Sequence, residues 1–135
     1  MILQKKFDFC CSHKLINPKW SREKNLEIFG KCCNLHGHNY SLAVQIQGPV
    51  NKESGMVINF SELDDVVRKN VINHLDHKNL ESDVPELKNK VLTVENIAVF
   101  IWNRINPRIK SPNKLKMVRV EETGNNAVEY YGNTH

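Results

Sequence analysis

His36-Gly37-His38-Asn39-Tyr40-Ser41-Leu42-Ala43-Val44-Gln45-Ile46-Gln47 alternates in steps of two and predicts a β-strand over 36–47. Tyr40, Leu42, Val44 and Ile46 fall on one face of that strand, an apolar face made to cover a core. The same period carries the side chains of His36 and His38 off one side, while Gly37 leaves the other side uncrowded. Two imidazoles so placed can reach a single ion.

Working outward, residues 2–13 alternate loosely with Phe7 and Phe9 on one face, and predict a first strand with His13 at or just past its end. The charged stretch 17–31, with Pro18 and Gly30, predicts a long connection with one helical turn near 23–28. After a turn at Gly48-Pro49, residues 55–60 predict a strand pairing back as a hairpin. Ser61 is the expected N-cap of a helix whose face is Leu63, Val66, Val67, Asn70 and Val71, ending near Asn73. Residues 75–80 predict a polar loop, and 93–105 a second helix capped by Thr93 and stopped by Pro107. Segments 115–122 and 127–131 close the chain as a strand pair around Gly124-Asn125-Asn126. The order predicts a single α+β domain over 1–135, with helices on one face of an antiparallel sheet.

At 135 residues, 40% hydrophobic and 25% charged, the chain has the composition of an ordinary globular domain. Its apolar runs fall far short of the roughly 20 residues that span a bilayer. Lys5, Lys6 and Asp8 deny the N-terminus the apolar core of a signal peptide, so a cytoplasmic location is expected. The cysteines form two adjacent pairs, Cys10-Cys11 and Cys32-Cys33, which bridge poorly and are read as thiols. The net charge of +4 is spread among acids, so neither a nucleic acid nor a membrane is the expected partner; a phosphorylated small molecule is served equally well.

A third imidazole for His36 and His38 has a natural source in His13, provided the first strand lies beside the second. Three imidazoles and one open position make the pattern of a catalytic zinc. Two plainer readings stand beside it: histidines satisfied in the core or at the surface, and a structural Cys/His site, which adjacent cysteine pairs fit badly.

Ser12-His13, Phe29-Gly30-Lys31-Cys32, His36-Gly37-His38-Asn39-Tyr40, Leu75-Asp76-His77-Lys78-Asn79-Leu80, Thr93-Val94-Glu95-Asn96 and Glu122-Thr123, taken in this order, resemble the 6-pyruvoyl- and 6-carboxy-tetrahydropterin synthase family over nearly the whole chain. The resemblance implies a tunnelling fold (T-fold), a four-stranded antiparallel sheet with two helices on one side that assembles as a trimer or dimer of trimers. It implies Zn2+ held by His13, His36 and His38, a general base at Cys32, a proton relay at Asp76 and His77, and a pterin anchor at Glu122. Thr93 and Glu95 are implied to line the site, and the implied substrate is 7,8-dihydroneopterin triphosphate.

Three residues separate Cys32 from His36, as in the carboxy-type enzymes of queuosine biosynthesis, where animal pyruvoyl-type enzymes have five. The wording of 25–32 and 76–80 is closer to the pyruvoyl type. Cys33 is expected to point away from the site, on the premise that neighbours on an extended chain face opposite sides. Cys10 and Cys11 are expected to be buried small apolar groups, and Leu92, where the family often has proline, to affect only the start of the helix. Spacing makes the leading expectation a lyase forming 6-carboxy-tetrahydropterin with loss of triphosphate and acetaldehyde. The alternatives are the pyruvoyl product and, from another class, a non-catalytic zinc-binding module.

Overall fold

Buried and exposed side chains alternate along two long strands, β1 (Ile2–His13) and β2 (His36–Gln47). In the computed structural model, which describes residues 1–132, they pair antiparallel from Ile2 opposite Gln47 to His13 opposite His36. Phe7, Phe9 and Cys11 from β1 and Tyr40, Leu42, Val44 and Ile46 from β2 turn one apolar face to the helices. Further strands are β3 (Lys78–Asn79), β4 (Lys114–Thr123) and β5 (Asn126–Tyr130). The sheet order is β3-β1-β2-β4-β5. The expected four antiparallel strands are therefore β1, β2, β4 and β5, and the short β3 adds a parallel pairing of Lys78 and Asn79 with Cys11 and Ser12.

Helix α1 (Arg22–Phe29) starts where Ser21 Oγ accepts from the Lys24 N–H. Helix α2 (Phe60–Val67) runs on through a π-helical turn at Arg68–Ile72 into α3 (Asn73–Leu75). After the one-turn α4 (Leu80–Asp83), α5 (Val94–Ile105) begins at Thr93, whose Oγ1 accepts from the Asn96 N–H. Leu63, Val67 and Val71 from one helical layer, and Ile97, Ala98, Ile101 and Ile105 from α5, are fully buried in the shared core. Each large aliphatic chain so buried contributes about 1.5–3 kcal/mol, which is what holds the helices on this face. Lys6, Asp8 and Asn39 leave the other face polar and exposed.

Four local expectations are corrected. Residues 55–60 are not a strand, because both edges of β2 are already taken by β1 and β4. The segment instead closes a loop in which Asn51 N–H donates to the Met56 carbonyl at 2.9 Å and Gly55 N–H to the Asn51 carbonyl at 2.8 Å. Gly55 supplies the positive φ, 74°, that this turn requires. The cap of α2 is Asn59 rather than Ser61: its Oδ1 accepts from the Ser61 N–H at 2.8 Å. Residues 75–80 are not a polar loop throughout, since Leu75 and Leu80 at its ends are fully buried and β3 lies inside it. The 17–31 connection holds the whole of α1, followed by a 3-10 turn at Gly30–Cys33.

Candidate active site

Strand register assembles the histidines. His13 stands directly opposite His36, and His38, two residues further along β2, stands opposite Cys11. Ring centroids lie 4.6 Å apart for His13 and His36, 5.2 Å for His13 and His38, and 5.0 Å for His36 and His38. One nitrogen from each ring lies within 4.8 Å of the others.

Backbone carbonyls set which nitrogens face inward. His13 Nδ1 donates to the Leu92 carbonyl at 2.8 Å, and His36 Nδ1 to the Asn34 carbonyl at 2.7 Å. A carbonyl only accepts, so each Nδ1 carries the proton and Nε2 keeps a free lone pair. Nε2 of both His13 and His38 is buried with no hydrogen-bond partner among the described residues. An orphaned buried acceptor costs about 1–3 kcal/mol, and a cation between the rings would satisfy both atoms. Burial, opposed by the Leu92 carbonyl, holds the His13 pKa below its ordinary value, so the ring stays neutral as a ligand must. A set of three converging imidazoles fits a zinc ion.

Two side chains flank the cluster. Tyr40 lies beneath it, edge-on to His38 at 5.5 Å and stacked on Phe9 at 5.0 Å, with its hydroxyl buried and unpartnered. Burial raises its phenol pKa, so it remains neutral. Glu122, on β4, places Oε1 3.7 Å from His38 Nε2, so the acid expected to anchor a pterin stands beside the histidines.

The second group of side chains forms where β3 meets β1. Asp76 Oδ1 accepts from the Cys10 N–H at 2.9 Å, and Oδ2 faces His77 Nδ1 at 3.0 Å. His77 N–H donates to the Cys10 carbonyl at 2.6 Å, and His77 adopts a positive φ of 60°. The expected pair Asp76 and His77 is therefore in contact, with the Cys10 thiol beside it. An open cleft of about 440 Å³ includes both His77 and His38 in its lining. The Cys10 N–H, with lesser help from His77 and against burial, holds the Asp76 carboxyl below the usual carboxylate range.

A carboxyl depressed on folding stabilises the fold above its ordinary pKa, and that contribution is lost as pH falls through the depressed value. Asp76→Asn is therefore expected to melt below wild type at pH 7, with the gap closing in acid below about pH 4. Thermal melts from pH 7 to 3 read this directly. A gap that stays constant would show that the charge plays no part.

Cys10 and Cys11 do not behave alike. Cys11 is buried, and burial first, then Cys10, Asp76 and Glu122, push its thiol up to about 12. Cys10 is half-buried and adjoins the acid-histidine pair, contrary to the expectation that both are inert core groups. Cys32 and Cys33 sit on the 3-10 turn, so the extended-chain premise for their directions does not hold. Cys33 Sγ nevertheless donates to the Asn25 carbonyl at 3.3 Å, which occupies it away from the histidines. The Cys32 carbonyl accepts from the Leu15 N–H at 2.8 Å, tying the turn to the chain just beyond His13, but its thiol does not join the converging imidazole nitrogens.

Among the described residues, neither Thr93 nor Glu95 bonds to the cluster: Thr93 caps α5 and Glu95 is exposed on its first turn. The carbonyls of Leu92 and Asn34, and the thiol of Cys10, are the contributors that residue patterns leave out. Backbone acceptors carry no signature of their own in a sequence. The place of Cys10 depends on a two-residue parallel pairing.

An α+β sheet of this order with a histidine cluster across its two central strands defines a T-fold domain equipped to bind a metal ion. The chain belongs to the 6-pyruvoyl tetrahydropterin synthase family, whose pattern matches residues 2–133. It is 47% identical over 132 residues to a 6-pyruvoyl tetrahydrobiopterin synthase of Dictyostelium discoideum, covering 98% of this chain and 96% of that one. A 6-carboxy-5,6,7,8-tetrahydropterin synthase of Haemophilus influenzae is 34% identical over 121 residues, covering 75% and 84%. The structure of Caenorhabditis elegans 6-pyruvoyl tetrahydropterin synthase superposes with a TM-score of 0.93 at 35% identity, covering 98% and 96%. The expected family, fold and enzyme type are borne out. The leading expectation of a carboxy-type product is less well supported than its pyruvoyl alternative.

Proposed function

We propose that this protein is a zinc-dependent lyase converting 7,8-dihydroneopterin triphosphate to 6-pyruvoyl-tetrahydropterin. The observation that carries the choice of product is the 47% identity, over 98% of the chain, to a pyruvoyl-type relative. Against it stands the three-residue spacing between Cys32 and His36, a single local feature set against similarity along the whole chain.

His13, His36 and His38 would hold the metal through their free Nε2 atoms. Bound there, zinc supplies Lewis acidity toward the oxygens of the substrate side chain, making the neighbouring C–H bonds acidic. Cys32, as thiolate, accepts a proton from the side-chain carbon. Asp76 Oδ2 fixes the proton on His77 Nδ1, which leaves Nε2 as the atom that takes or returns a proton. Glu122 accepts paired N–H bonds from the pterin. The reaction is internal, since the ring gains the hydrogens that the side chain loses and triphosphate departs. The family resemblance supports a trimer or pair of trimers, with residues of more than one protomer lining each site.

Incubating zinc-loaded protein with 7,8-dihydroneopterin triphosphate and weighing the pterin formed tests the reading. A product retaining all three side-chain carbons is expected. Release of acetaldehyde with a 6-carboxy product would instead reinstate the carboxy-type reaction.

A further inference from the structure

Tyrosine, tryptophan and cysteine aside, the polar side chains buried among the described residues are His13 and Asn25. His13 is accounted for by the histidine cluster, whereas Asn25, 4% exposed, has no part in the chemistry above. It is also the buried residue of α1, whose Leu26 and Ile28 stay exposed. An amide thus anchors this helix where an aliphatic side chain would ordinarily serve.

Both ends of that amide are engaged. Oδ1 accepts from the Asn17 N–H at 2.8 Å, and Nδ2 donates to the carbonyls of Ser21 at 3.0 Å, Asn17 at 3.1 Å and Trp20 at 3.4 Å. Carbonyls only accept, so these partners leave the amide one orientation. Neither a carboxylate nor an alkyl chain can satisfy donor and acceptors together, and buried groups left unpaired are costly.

The bonds close a circuit through the turn that carries Cys32. Leu15, two residues after His13, donates its N–H to the Cys32 carbonyl at 2.8 Å. Asn17, two residues further on, is held at both its N–H and its carbonyl by Asn25. The Asn25 backbone carbonyl in turn accepts from Cys33 Sγ at 3.3 Å. A thiol is a weak donor, so the amide bonds carry most of the restraint. The turn needs it: Gly30, with φ 56°, links it to α1, and none of Gly30–Cys33 is buried, so packing does not fix it.

Resting on the assignment of Cys32 as the base, we infer that Asn25 is a positioning residue for the reaction. Its amide locks segment 15–17 to α1, and so sets the Cys32 turn against the end of β1 where His13 stands. A base held in a fixed frame needs no rearrangement when substrate arrives, whereas a displacement of about 1 Å can cost about a hundredfold in rate.

The test compares zinc-loaded, full-length Asn25→Ala with wild type, with Cys32→Ala and with Cys32→Ala/Asn25→Ala, using 7,8-dihydroneopterin triphosphate. Zinc content is expected to match wild type and KM to stay within about twofold, while kcat falls by about 10–100-fold. In the Cys32→Ala background the same substitution should cost nothing further, because the thiol it positions is gone. Asn113→Ala, which removes the donor to the Val57 carbonyl, is the structural control: a lower Tm with wild-type kcat. Alkylation by iodoacetamide, mapped by mass, reads the frame without turnover, and Cys33 should react faster in Asn25→Ala than in wild type. Should the alanine variant not accumulate as folded protein, Asn25→Asp, close in shape but lacking the donors, takes the same measurements. A wild-type kcat in the Asn25 variant, or an equal loss in both backgrounds, would overturn the inference. Cys32→Ala turning over at the wild-type rate would instead remove the base assignment. Alkylation would then decide alone whether Asn25 holds the turn, and unchanged reactivity at Cys33 would refute it.

Discussion

His38→Ala is expected to lose metal and turnover together. His38 Nε2 is buried without a hydrogen-bond partner, and its ring faces those of both His13 and His36. Alanine removes one of three donors and leaves a void that the two remaining imidazoles cannot close, since the Leu92 and Asn34 carbonyls hold their rings in place. Loss of an outer hydrogen-bond partner typically costs about 10–100-fold in metal affinity, and loss of a ligand should exceed that. Metal analysis after dialysis, with the product assay on the same sample, reads both quantities. A variant retaining a full equivalent of zinc would remove His38 from the ligand set.

Cys32→Ala should separate the two properties. The thiol lies outside the converging imidazoles, so zinc content should match wild type while turnover falls by about 10²–10⁴, the usual worth of a positioned general base. Cys33→Ala is the matched control, because its Sγ is engaged with the Asn25 carbonyl. If Cys32→Ala turned over at the wild-type rate while Cys33→Ala or Cys10→Ala lost activity, the base would have to be reassigned to that thiol. Cys10 makes this comparison necessary, since it is the thiol that lies beside His77 within one protomer.

What could be read from residues alone was whatever a short-range period encodes. The two-residue alternation of 36–47 yields the strand, its buried face and the common direction of His36 and His38. The run 55–60 carries a similar apolar density but neither edge of β2 is free for it to pair back on, a fact decided by β4 nearly sixty residues later. Asn59 and Ser61 are both good caps, and only the backbone path selects the first. His13 joins the set only where the first two strands are neighbours. Its meeting with His36 depends on a register kept in step over the whole length of β1. The directions of Cys32 and Cys33 depended on a tight turn that their sequence does not announce.

The bond from His13 Nδ1 to the Leu92 carbonyl moors the start of α5 to the sheet. A cation seated among the three rings would thus be tied, through His13, to the chain that leads into α5. Amide exchange at the first turn of α5 should accordingly quicken when a chelator withdraws the ion, making a helix that never touches the metal a reporter of its presence.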